Sequence, residues 1–213
     1  MRKYLTEFFG TFFFVMTIGL VATTGHPLAP FVIGAALMVV VYMGGHISGA
    51  HYNPAVTLAV YLRGKLPAGD VLPYMLAQIA GAAAGAYFSY MFLDRTFAPE
   101  PGPLATTAIA VMVEALYTFL LALVVLNVAT SPATEGNSYY GIAIGTTIVI
   151  AGYAGGPISG GAFNPAVATG SILVNVVSGD GTFGNLWIYL VGPFLGGALA
   201  AAVYKFQHPA PTA

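Results

Sequence analysis

The stretch GGHISGAHYNPAV beginning at Gly44 returns as GGPISGGAFNPAV beginning at Gly155, identical at nine of its thirteen positions. Asn is a strong helix N-cap, and Pro suits the first helical position, where its missing N–H would have no partner. Asn53-Pro54-Ala55 runs on into VTLAVYL and Asn164-Pro165-Ala166 into VATGSILV. Each therefore predicts a helix of about ten apolar residues, roughly half of what a hydrocarbon core about 30 Å thick requires. Asn-Pro also starts ordinary loop turns. Two copies at matched positions, each leading into a half-length apolar run, argue against that bland reading.

Charged residues make up 6% and hydrophobic residues 58% of the chain, far from the roughly 25% charged of a soluble domain. Apolar runs between short polar loops predict six spans near 5–24, 30–42, 71–93, 105–127, 139–153 and 185–206. The second and fifth are short, so their ends are expected to run into the glycine-rich stretches. Arg2 and Lys3 precede an apolar run with no small-residue cleavage site after it, so 5–24 reads as a retained span. With the N-terminus inside, Arg2, Lys3, Arg63, Lys65 and Lys205 fall on the cytoplasmic side and Arg95 alone outside. Both termini are then cytoplasmic, and the expected location is the plasma (inner) membrane. A net charge of −1 gives no footprint for nucleic acid. The absence of cysteine excludes disulfides and thiolate metal sites.

The likeness of the halves extends further, and the glycine pairs keep the same 111-residue offset. EFFGTFFF at Glu7 pairs with EALYTFLL at Glu114, and GAAAG at Gly81 with GPFLG at Gly192. The chain thus reads as a single membrane domain over 1–213, with repeat one at about 1–100 and repeat two at about 101–213. Three spans per repeat is odd, so the second repeat enters the bilayer from the opposite face, giving an inverted-topology repeat. The two Asn-Pro-Ala segments can then meet only near the midplane. Irregular backbone at that depth survives where it is buried in protein or lines a wet cavity. The carbonyls of Gly49, Ala50, His51 and Tyr52, and of Gly160, Gly161, Ala162 and Phe163, form an expected pore-lining ladder. Two opposed helix N-termini place about half a positive charge each at the centre, beside two Asn amide donors. Cations meet repulsion there and neutral molecules do not.

These motifs resemble the aquaporin (major intrinsic protein) family of water and small-solute channels over nearly the whole chain. The resemblance implies an all-α membrane fold of six transmembrane helices plus two re-entrant half-helices, homotetramers with one pore per subunit, and no cofactor or metal. It also implies a second constriction of four residues, which map onto Ile33, Gly152, Gly161 and Val167. Most members have Arg directly after the second Asn-Pro-Ala, and water-selective members usually have His at the span-five position. This chain has Val167 and Gly152 there. The filter is accordingly expected to be wide, apolar and uncharged, passing water and larger neutral solutes such as glycerol, urea, ammonia, hydrogen peroxide or undissociated metalloid acids. Exclusion of protons and cations then rests more on the Asn-Pro-Ala region.

Glu7 and Glu114 are ionisable groups in apolar spans, where such residues face the bundle interior. A proton relay is one reading; the duplicated placement favours structural acids that accept N–H groups from the adjacent half-membrane loops. His51 is expected to line the pore and His46 to hold its loop, while His26 and His208 receive no role. The glycine pairs are expected where the halves cross, and the proline-rich segment 94–104 over the outer mouth. Trp187 and tyrosines near span ends read as interfacial anchors. A secondary transporter shares this architecture but wants a coupling-ion cluster, and none is apparent beyond the two acids. An ion channel or a membrane enzyme fits less well: no basic ring, nucleophile-base pair or metal set stands out in the spans.

Overall fold

The computed structural model describes residues 1–209, which form helices and connecting turns with no strand. In chain order these are α1 (Arg2–Ala22), α2 (Ala29–Ser48), α3 (Pro54–Leu62), α4 (Ala68–Leu93), α5 (Thr107–Thr130), α6 (Tyr140–Ala154), α7 (Gly156–Ser159), α8 (Pro165–Ser178) and α9 (Leu186–Gln207). The end of the expected second repeat, 210–213, lies outside the described residues. Five helices, α1, α2, α4, α5 and α9, are long and apolar enough to cross a bilayer. Their outward faces carry apolar ladders at helical spacing, such as Met112, Leu116 and Leu120, or Val191, Leu195 and Leu199, all exposed. Water would penalise these ladders, whereas hydrocarbon accepts them.

The sixth path is built in two pieces. Where α2 carries His46, the second half carries Pro157 in the same frame of the repeat. His46 has an N–H to give, so α2 continues unbroken to Ser48, running on from 42 through the glycine-rich stretch as expected. Pro157 has none, so one main-chain bond is lost. The helix is interrupted at Gly155, and the short α7 completes it.

α1 packs on α4 and α5 on α9 within each half, while α2 meets α6 across the halves. Glycine decides how closely these pairs approach. A Cβ on Gly81 or Gly85 would strike the Phe8 and Phe12 carbonyl oxygens of α1, and one on Gly192 or Gly196 would strike the backbone of α5. The two glycine pairs therefore pack inside the halves, not between them as their sequence suggested. The crossing is made instead by Gly34 and Gly145, which also occupy equivalent positions of the two repeats. A Cβ on either would lie 2.5 Å from the carbonyl oxygen of the other. Small residues at such crossings let backbones touch.

Gly145→Val is expected to destabilise the fold by about 1–3 kcal/mol, the usual cost of overpacking. Gly69→Ala, where an added Cβ meets nothing within 4 Å, should leave stability unchanged. Thermal unfolding of the two variants in detergent checks the contrast.

Candidate functional site

The segments 49–53 and 160–164 leave the helical conformation by the same route. Gly49 (φ 85°), Ala50 (φ 51°) and Tyr52 (φ 49°) correspond to Gly160 (φ 93°), Gly161 (φ 68°) and Phe163 (φ 48°), all left-handed. Tyr, Phe and Ala in that region each cost on the order of 1–3 kcal/mol and persist only when their surroundings fix them. The buried acids do the fixing. One Glu7 oxygen accepts from the Ser48 hydroxyl at 2.7 Å and the His51 N–H at 3.0 Å. The other accepts from the Tyr52 N–H at 2.7 Å and the Gln78 side-chain amide at 2.8 Å. Glu114 repeats the pattern, accepting from the Ser159 hydroxyl at 2.7 Å, the Ala162 N–H at 3.0 Å and the Phe163 N–H at 2.6 Å. Charge-assisted bonds of this kind are roughly twice as strong as neutral ones. A carboxylate is needed because two or more donors converge on an oxygen that has no proton to give.

Residues beyond the sequence reading complete the cradle. Tyr74 and Tyr189 donate to the carbonyls of Ser48 and Ser159 at 2.8 and 2.6 Å. The two serines lie in the duplicated ISG, so their signal was present. Gln78 is a lone amide in an apolar span, and the tyrosines look like many others. Thr11 and Thr118, four positions after the acids, stay outside the carboxylate network. Thr11 bonds back to the Glu7 carbonyl, and Thr118 has no partner among the described residues.

The half-helices α3 and α8 begin at the two Asn residues, whose Oδ1 atoms accept from the N–H of Ala55 and of Ala166, each at 2.9 Å. Their amide nitrogens cross over. Asn53 Nδ2 donates to the Phe163 carbonyl at 2.9 Å, and Asn164 Nδ2 donates to the Tyr52 carbonyl at 2.8 Å. This shortens the expected ladder, because the carbonyls of Tyr52 and Phe163 are engaged by the opposite Asn. Those of Gly49, Ala50, His51, Gly160, Gly161 and Ala162 accept no backbone or side-chain donor among the described residues. A primary amide has two N–H bonds, so each Asn retains one for a passing oxygen.

Two cavities flank this junction. The outer one, about 530 Å³, is lined by both Asn residues together with Ile33, Gly152, Gly161 and Val167. The four mapped filter positions, drawn from α2, α6, the second loop and α8, thus face one space. None of them brings a side-chain donor or charge. Thr96, Phe97 and Glu100 of the connecting segment also line it. That segment is pinned by the Gly102 N–H on the Ile158 carbonyl at 2.9 Å and by Thr96 on Asn175 at 2.6 Å. The inner cavity, about 760 Å³, is lined by His46, His51, Lys65 and Asn137 among others. His26 caps only the local turn, accepting from the Leu28 N–H at 3.1 Å. His208 stacks on Tyr204 with centroids 4.3 Å apart.

A family model described as "Major intrinsic protein" matches residues 1–204. The chain is 37% identical over 215 residues to "Aquaporin NIP1-1" of Zea mays, covering 96% of this chain and 74% of that protein. It is 36% identical over 211 residues to "Glycerol uptake facilitator protein-like 6" of Lactiplantibacillus plantarum, covering 94% and 95% respectively. Among solved structures, the aquaglyceroporin from Plasmodium falciparum superposes with a TM-score of 0.87 at 26% identity, over 98% of this chain and 97% of that one.

Replacing Glu114 by Gln puts an NH₂ group where Phe163 or Ala162 and Ser159 present donors. A buried donor left unsatisfied costs about 1–3 kcal/mol, so Glu114→Gln should lower the unfolding temperature of purified protein. Glu114→Leu should lower it further.

Proposed function

This chain belongs to the major intrinsic protein family, and from that membership we propose that it is a passive channel for water and small uncharged solutes of about glycerol's size. Urea, ammonia, hydrogen peroxide and undissociated metalloid acids fall in the same class. It is an integral, multi-pass membrane protein. One observation carries the solute range: the outer cavity continues past Ile33, Gly152, Gly161 and Val167 to both Asn residues without a break. None of these four positions bears a side-chain donor or a charge, so a solute longer than water is neither clamped nor repelled by them. The main-chain carbonyls of the two loops supply acceptors in its place.

Ions are refused at the Asn pair. The N-termini of α3 and α8 each present roughly half a positive charge, and the remaining amide N–H groups favour a neutral oxygen. A water molecule accepting there turns its own hydrogens away, which interrupts a proton wire. The chain carries solutes without transforming them. The proposed assembly is a homotetramer with one pore per subunit, with termini on the cytoplasmic side of the plasma (inner) membrane according to the distribution of basic residues. A coupled transporter is disfavoured because both buried acids are already saturated by loop donors.

Stopped-flow light scattering of proteoliposomes tests this reading. Water and glycerol should both cross with weak temperature dependence. Val167→Arg should cut glycerol flux by about tenfold or more, equivalent to about 1.4 kcal/mol of barrier, while leaving most water flux. Rejection by the unaltered protein of every solute larger than water would overturn the proposed solute range.

A further inference from the structure

Accepting that the chain is a channel, we infer that solutes are sorted not at the outer four-residue opening but at a neck on the inner side of the Asn pair, formed by His51, Val125 and Ile144. The outer cavity includes both the mapped filter and the two Asn residues, so neither closes it. The inner cavity begins on the other side of the junction, and His51, Val125 and Ile144 are the three residues that line both. All three are buried, with 8%, 6% and 4% of their surface exposed. They come from the first loop, α5 and α6, so a molecule leaving one cavity for the other passes between both halves of the chain. Ile144 is the repeat equivalent of Ile33, so each half lends the same residue, one to the opening and one to the neck.

The neck has a single polar side chain. His51 Nδ1 lies 3.2 Å from the Thr57 hydroxyl oxygen. That hydroxyl donates its one proton to the Asn53 carbonyl at 3.0 Å and accepts from Gln78 Nε2 at 2.9 Å. A hydroxyl has one proton and two lone pairs. The arrangement that satisfies every partner therefore has His51 donating through Nδ1–H, a tautomer assigned from the network. Nε2 is left with a bare lone pair and no protein partner among the described residues. It sits 3.2 Å from where a Cβ on Gly49 would stand, so the glycine leaves the ring its room. Tyr74 packs against the imidazole, with centroids 5.1 Å apart, and limits its swing.

The passage thus offers one side-chain acceptor, beside the loop carbonyls, against two aliphatic walls. It suits a slim molecule that donates an O–H or N–H on one side and shows carbon on the other, as a polyol does. An anion meets a lone pair and no donor. The outer opening, having no side-chain donor of its own, sets no comparable demand.

The test uses the full chain in proteoliposomes and compares water, glycerol and a five-carbon polyol. Val125→Ala and Ile144→Ala should each raise five-carbon polyol flux relative to water by about tenfold or more, as expected when two and three carbons respectively are removed from an apolar site. Ile144→Phe should stop glycerol while sparing water. Ile33→Ala, which widens the outer opening, should shift the ratios far less than either inner substitution does. Water flux in the same vesicles reports that each variant is folded. If the cut-off follows Ile33 and ignores Val125 and Ile144, the inference is overturned while the channel reading stands. Absence of water flux in the unaltered protein would overturn both.

Discussion

Each Asn of the duplicated motif is used three times over. Its Oδ1 caps its own half-helix, one amide N–H reaches across to the carbonyl preceding the other Asn, and the second N–H remains for the pore. The crossed pair ties the two half-membrane segments head to head. It works only if Tyr52 and Phe163 hold left-handed backbone that turns their carbonyls toward the opposite Asn, and that backbone persists because Glu7 and Glu114 gather the preceding N–H groups. Buried carboxylates, strained loops and opposed helix tips are therefore one device. Removing any part leaves the others unpaired in a region with little water to replace them.

The halves share a backbone but not a lining. His51 has no imidazole counterpart in the second half, where Ala162 takes its place, and Ala50 corresponds to Gly161. Val56 and Val167 stand at equivalent positions in the two half-helices. A near-symmetric frame thus carries an asymmetric lining, with an imidazole on one side of the junction and none at the equivalent position on the other. Duplication fixes where the chain goes, and a few side chains decide what goes through it.

Much of this was legible beforehand for identifiable reasons. Asn-Pro is a local signal, since cap and first-turn chemistry act within a single helical turn, so both half-helices could be placed without knowing their surroundings. Spacing from those landmarks located Ile33, Gly152, Gly161 and Val167 because intact helices keep count. The acids were conspicuous as charges in apolar sequence. What escaped was long-range pairing. Nothing local distinguishes Gly34 and Gly145, which touch across the halves, from Gly81 and Gly192, which do not. The engagement of the Tyr52 and Phe163 carbonyls depended on which way each Asn amide faced. Val125 and Ile144 are ordinary aliphatics, and only the meeting of two cavities gives them significance.

The crossed bonds are reciprocal in the way of a twofold interface, each half returning what it receives. Register between the halves is consequently set at the centre of the molecule and does not depend on the covalent linker joining them. The stretch from Asp94 to Thr106 is thereby relieved of any aligning duty. Its prolines and its Glu100 form instead a canopy at the entrance, moored to the second half through Gly102 and Thr96.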